Sequence, residues 1–162
     1  DKDEVSVFEL TNVLRGCYEG YDNAFPHQSF ELSIETGDLQ ITGIADLFAQ
    51  MLDKLVDNAV QFSTDQQPVI LRLTCEAETA VLRITNSGPP LPDKMTDQLF
   101  DAMISVRDDE QREDSHLGLG LHVARLIADF HGGEILLANR EDREGVVVSV
   151  RLPLLRLTSK LV

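Results

Sequence analysis

The sequence predicts an α+β fold: a two-layer sandwich in which a mixed, mostly antiparallel sheet carries helices on one face. Three observations predict it. Residues 43–63 (GIADLFAQMLDKLVDNAVQFS) place apolar side chains at Ile44, Leu47, Phe48, Met51, Leu52, Leu55, Val56, Ala59 and Val60, a helical period held for five turns. The runs VILRLTC (69–75) and VLRITN (81–86) are joined by the tight connection EAET and read as a β-hairpin. A Gly-alternating segment, HLGLGL (116–121), opens a second apolar-periodic stretch that Gly132 and Gly133 stop. Strands and helices alternate irregularly and hairpins dominate, which favours segregated layers over a doubly wound parallel sheet.

In chain order, residues 5–19 fit a helix with Val7, Leu10, Val13, Leu14 and Cys17 on its buried face. Residues 20–28, containing Pro26, read as a connection. SFELSIE (29–35) alternates strictly and is a strand candidate, residues 36–38 form a turn, and residues 39–42 are either a short strand or simply the lead into the central helix. Residues 64–68 are a polar turn before the hairpin. In the second hairpin strand Leu82, Ile84 and Asn86 share a face, so Asn86 points where the core residues point and needs a partner or a ligand. Residues 107–115 (RDDEQREDS) hold seven charged residues in nine and read as a mobile surface loop. In the helix that follows, Leu119, Val123, Leu126 and Phe130 form one apolar stripe, widened by Ala124, Ile127 and Ala128. Strands at 134–139 and 146–152 close the chain.

With 162 residues, 43% of them apolar, the chain is long enough for one domain with a real core, and no linker or repeat divides it. A net charge of −14 argues against nucleic acid and against anionic lipid as partners. Cys17 and Cys75 have no metal or disulfide spacing, which suits a reducing compartment. No apolar run has the length of a membrane span.

Three features carry chemistry. Asn58 stands on the polar side of the central helix beside Lys54 and Gln61, where it is either part of a solvated stripe or a ligand. Asn86-Ser87-Gly88 ends a strand. Gly118 and Gly120 lead into a helix whose free N-terminal amides would suit a phosphate; a helix cap or a close packing contact explains such a segment equally well. An Asn58 amide oxygen could ligate Mg²⁺ that bridges those phosphates, since Mg²⁺ takes hard oxygen ligands and few from the protein.

In that order, these residues resemble the ATP-binding catalytic domain of bacterial sensor histidine kinases, within the gyrase, Hsp90 and MutL superfamily. DKLVDNAVQFS (53–63) is similar to the family's N box, ITNSGPPLP (84–92) to its first glycine box, LFDAM (99–103) around Phe100 to its F box, HLGLGLHVARLIADFHGG (116–133) to its second glycine box, and GVVVSVRLPL (145–154) to its closing strand. The resemblance covers almost the whole chain. It implies the Bergerat fold, with ATP and Mg²⁺ as cofactors under a lid at residues 104–117. The implied nucleotide-binding residues are Asn58, Gln61, Phe62, Asn86, Gly88, Arg107, Leu117, Gly118, Leu119, Gly120 and Leu121, with Asn58 as the metal ligand. It implies no catalytic histidine within this chain. The acceptor lies on a separate dimerisation domain just upstream, so this domain is expected to be a monomer, and a response-regulator receiver domain takes the phosphate next. It further implies a cytoplasmic position in a full-length protein anchored in the inner membrane.

The departures bear on function. Asn86 stands where the family usually has Asp, which accepts from the adenine amino group. Pro90 replaces the box's second glycine, His116 the first glycine of the second box, and Gln61 a Lys near the phosphates. Lys54 occupies the place of a first Asn in kinases, or of the general-base Glu in the hydrolysing relatives, which leaves activation of water unsupported and disfavours a fast ATPase. The four histidines, His27, His116, His122 and His131, read as structural or solvated. The rival to a kinase domain is a degenerate, nucleotide-free regulatory module of the same fold.

Overall fold

The computed structural model describes residues 4–35, 38–64, 66–92 and 113–155. Among the described residues, seven strands and four helices follow one another: β1 (Ser6–Glu9), α1 (Leu10–Tyr18), α2 (Tyr21–Ala24), β2 (Phe30–Ile34), β3 (Gln40–Gly43), α3 (Ala45–Phe62), β4 (Val69–Glu76), β5 (Thr79–Ser87), α4 (Glu113–Phe130), β6 (Glu134–Asn139) and β7 (Gly145–Pro153). Five strands form one sheet in the order β2-β4-β5-β7-β6, parallel at β2/β4 and antiparallel elsewhere. The α+β sandwich expected from the sequence is the one observed.

The register explains the layering. Leu71 lies opposite Ile84, Leu73 opposite Leu82, Ile84 opposite Val148 and Leu82 opposite Val150, so the apolar side chains of three strands line one face. That face is buried under Met51, Leu52, Leu55 and Val56 of α3 and Leu121, Ala124 and Ala128 of α4. The other face carries ion pairs in solvent: Arg72 with Glu35, and Arg83 and Arg151 with Glu76. Charged pairs of this kind contribute little; the buried face holds the sheet to the helices.

Four sequence expectations need correction. Residues 5–19 are not one helix: Ser6–Glu9 pairs antiparallel with β3, and α1 starts at Leu10. Val5 and Val7 fit a period of two, Val7 and Leu10 a helical spacing of three, and pairing with a distant strand decides between them. Val7 is consequently half exposed rather than core. The connection at 20–28 contains α2, whose buried Tyr21 donates its hydroxyl to Asp53 Oδ1 at 3.0 Å. The second helix begins at Glu113, inside the segment read as a charged loop. Finally, Leu126 and Phe130 are exposed, and α4 buries Leu121, Ala124, Ile127 and Ala128 instead. The two alanines allow α4 to lie close on α3, which the bulkier stripe would prevent.

Candidate functional site

The central helix is held at its start by the far end of α4. Its N-cap residue, Ile44, has no side-chain cap. His131, buried just beyond α4, accepts the Ile44 N–H at Nε2 (3.1 Å), and its Nδ1 lies 2.8 Å from the Ile127 carbonyl. With the proton on Nδ1, both ring nitrogens are satisfied, so His131 is structural, as expected. A Cβ at Gly43 would come within 2.0 Å of this ring, so position 43 must be glycine for His131 to sit there.

The two asparagines read as ligand candidates converge at the other end of α3. Asn58 and Asn86 line one narrow cavity with Ala59, Phe62, Leu91, Leu121, Leu137, Val146 and Val148. Asn86 does point toward the helix layer, as alternation along β5 requires, and lies opposite Val146. Asn58 differs from its expected setting. It is buried, 6% exposed, because α4 covers the polar face of α3 at this level; a Cβ at Gly120 would sit 3.6 Å from both the Nδ2 and Oδ1 atoms of Asn58. Asn86 is 3% exposed. Neither Nδ2 atom has a hydrogen-bond partner. A buried unpaired amide donor costs about 1–3 kcal/mol, and two in one cavity call for an explanation beyond folding.

The segment after β5 is tied down by groups the sequence reading missed. Asn139 at the end of β6 brackets Leu91 on both sides of its peptide: the Leu91 N–H donates to Oδ1 at 2.7 Å, and Nδ2 donates to the Leu91 carbonyl at 2.8 Å. Arg140 donates to Ser87 Oγ at 2.8 Å, and the Gly88 N–H to the Glu144 carbonyl at 2.9 Å. Gly88 also passes so near the end of α3 that a Cβ would meet the Phe62 carbonyl oxygen at 2.4 Å. The glycine at 88 thus lets the strand end and the helix end meet. Of the apolar cavity residues not singled out from sequence, Leu137, Val146 and Val148 were visible only as strand alternation, and Ala59 only as helix core.

The remaining candidates fall elsewhere. Gln61 is exposed and donates to Asp57 Oδ2 at 3.0 Å, outside the cavity. Arg107 and the F-box Phe100 lie outside the described residues. Leu117, Gly118, Leu119 and Gly120 are within α4, not ahead of it. In a helix that starts at Glu113 the free N–H groups belong to its first four residues, and amides from Leu117 onward are engaged with carbonyls four residues back. The free amides expected at Gly118 and Gly120 are therefore not present in this conformation. The cavity is also narrow, with a volume of about 10 Å³.

Residues 43–156 match the family model described as histidine kinase-, DNA gyrase B- and HSP90-like ATPase, which is well over half of the chain. The chain belongs to this ATPase family. The histidine kinase branch is where its similarities lie. It is 36% identical over 114 residues to the sensor protein CutS of Streptomyces coelicolor, covering 70% of this chain and 27% of CutS. It is 28% identical over 153 residues to the heme sensor protein HssS of Staphylococcus haemolyticus, covering 94% of this chain and 32% of HssS. The chain thus spans about a third or less of these relatives. Among solved structures, the catalytic domain of histidine kinase ThkA superposes with a TM-score of 0.77 at 25% identity, covering 93% of this chain and 97% of that one. This is the fold and family of a histidine kinase ATP-binding catalytic domain. No helix among the described residues is long and apolar enough to cross a membrane.

Proposed function

We propose that this domain binds Mg-ATP in the cavity between α3, β5 and α4. It would donate the γ-phosphate to a histidine on a dimerisation domain of the same protein, from which a response-regulator receiver takes it. The observation that carries the reading is the pair of buried amides, Asn58 and Asn86, which line one otherwise apolar cavity and whose Nδ2 atoms have no partner. Apolar walls with a few fixed polar groups are what a heterocyclic base requires.

The side chains present suit a nucleotide and its metal in chemistry, and room for them requires the cavity to widen. Asn58 would offer its Oδ1 to Mg²⁺, and water and phosphate oxygens would complete the coordination, since no cluster of three acidic, His or Cys side chains among the described residues could hold a metal by itself. The metal would neutralise charge on the phosphates. The chain's own part is positioning: Phe62, Leu121 and Val146 exclude water from the base, and Gly120 keeps the α4 backbone against the Asn58 amide. Phosphate access requires the first turns of α4 to release their amides. Lys54 is exposed, one turn before Asn58, and gives no carboxylate to activate water, which favours transfer to histidine over hydrolysis.

The deciding experiment is incubation with γ-labelled ATP, alone and with the histidine-bearing helical domain supplied in trans. The expected product is acid-labile, alkali-stable label on the helical domain and none on this chain. Stable label on His27, His116, His122 or His131 would contradict the reading. A second reading, a nucleotide-free regulatory module, is favoured by the narrow cavity and the continuous α4 helix. It predicts no label on either partner and no binding at millimolar ATP.

A further inference from the structure

We propose that Asn139 is a positioning residue of the nucleotide site: it fixes Leu91 as one wall of the cavity before any ligand arrives. The inference rests on the nucleotide reading above and concerns what holds that site in shape. Among the described residues nine line the cavity, and eight of them stand on α3, β5, α4, β6 or β7. Leu91 alone belongs to no helix or strand, yet it is only 9% exposed. Something other than secondary structure has to hold it. Asn139 is placed to do so. It pairs with Val146, which pairs in turn with Asn86, so one row across three strands carries an orphaned amide at one end and Asn139 at the other. Asn139 also stands two residues beyond the cavity-lining Leu137, on the same face of β6.

The Asn139 amide completes a run of backbone that cannot complete itself. Residues 88–92 read Gly-Pro-Pro-Leu-Pro, and each is a proline or precedes one. Prolines fix φ and restrict the residue before them, so the run has little conformational freedom of its own. They also remove N–H groups, and from 89 to 92 only Leu91 keeps a main-chain donor. That donor goes to Asn139 Oδ1 at 2.7 Å, and Asn139 Nδ2 donates to the Leu91 carbonyl at 2.8 Å. A side-chain amide has an acceptor and a donor group, so it serves Leu91 as a neighbouring strand would, and only one orientation of the amide satisfies both bonds. The run is anchored at its start as well, by the Gly88 N–H on the Glu144 carbonyl. A ligand entering the widened cavity therefore meets Leu91 already in place. Ordering a loose segment on binding would weaken affinity, and the clamp removes that loss in advance.

Amide hydrogen exchange and calorimetric titration with Mg-ATP test this together. In the nucleotide-free wild-type chain the Leu91 amide should be protected; exchange at the rate of an unstructured peptide overturns the inference, and this result needs no variant to fold. In Asn139→Ala the Leu91 amide should lose its protection while those of Val148 and Val150 keep theirs, and ATP affinity should fall about tenfold or more. In Asn139→Asp the carboxylate still accepts from the Leu91 N–H but cannot donate to its carbonyl, so protection should persist and affinity should fall less than in Asn139→Ala. Unchanged ATP affinity in folded Asn139→Ala overturns the inference. A fall in affinity with the Leu91 amide still protected overturns it too, because the loss would then not run through the clamp. Where Asn139→Ala does not fold, wild-type affinity in Asn139→Asp overturns it. If the wild-type chain protects Leu91 but binds no ATP, the nucleotide reading itself fails and takes this inference with it.

Discussion

Asn58→Ala separates a binding residue from a structural one by sign as well as size. Asn58 is 6% exposed with an unpaired Nδ2, inside the 18-residue helix α3. Removing a buried unsatisfied donor relieves about 2 kcal/mol. Replacing Asn by Ala in a helix interior adds roughly 0.5 kcal/mol. Against this, the lost contacts of the side chain enlarge a gap that already exists beside it, at a cost of about 1 kcal/mol. The balance is a stabilisation of about 1.5 kcal/mol, or roughly 3–6 °C in melting temperature for a domain of this size. The assay is thermal unfolding followed by circular dichroism, with and without Mg-ATP. Wild-type protein at a hundred times its dissociation constant gains about 2.7 kcal/mol from ligand, and the variant should lose the Mg²⁺-dependent part. An apo melting temperature lowered by more than about 4 °C, equivalent to a loss of at least 1 kcal/mol, would refute the reasoning, because it would show the amide to be satisfied and structural. An unchanged Mg²⁺-dependent gain would refute the metal assignment.

Other substitutions probe the frame around the site. Gly43→Ala drives a methyl into the His131 ring and breaks its bond to the Ile44 N–H, for a loss of about 2–4 kcal/mol in chemical denaturation. In combination with His131→Ala the two losses should be strongly non-additive, and simple addition would contradict the contact. Gly120→Ala meets only ordinary contacts at Asn58 and replaces a mid-helix glycine, so the apo fold should gain about 0.5–1 kcal/mol while nucleotide affinity falls; unchanged affinity in a titration would show that α4 need not rearrange. Cys17 is half-buried, and burial first, then the Asp53 charge, pushes its thiol up to about 11. Its folded-state value lies above the unfolded one, so its stabilisation is complete below about pH 8.5 and is lost as pH rises through about 11. At pH 8 a thiol reagent should therefore modify the exposed Cys75 well before Cys17, and equal rates would contradict the burial.

What the sequence showed and what it hid follow one physical division. The helix α3 and the inward aim of Asn86 were legible because each rests on a local period, one of 3.6 and one of 2, set by neighbours in the chain. The strand β1 was not, because Ser6–Glu9 takes its form from pairing with Gln40–Gly43, far along the chain. The buried face of α4 was misassigned for a similar reason. The stripe through Leu126 and Phe130 is the more hydrophobic one, yet Ala124 and Ala128 face α3, and closeness of approach to a partner is not written in either helix alone. Asn58 was read as a polar residue in need of a reason, on the exposed side of its helix, and it is buried instead. Its burial depends on α4 lying across it, which no property of 43–63 reveals. The Ile44–His131 and Asn139–Leu91 bonds join residues from distant segments and left no local signal. Asn139 had one hint, a polar residue closing an apolar strand.

The account's central claim is that the two orphaned amides await Mg-ATP. Calorimetric titration of the wild-type chain with a non-hydrolysable ATP analogue, with and without Mg²⁺, tests it most directly. The account predicts saturable one-to-one binding that Mg²⁺ strengthens. No heat of binding at millimolar analogue, with or without Mg²⁺, in a chain shown to be folded by its melting transition, would contradict it.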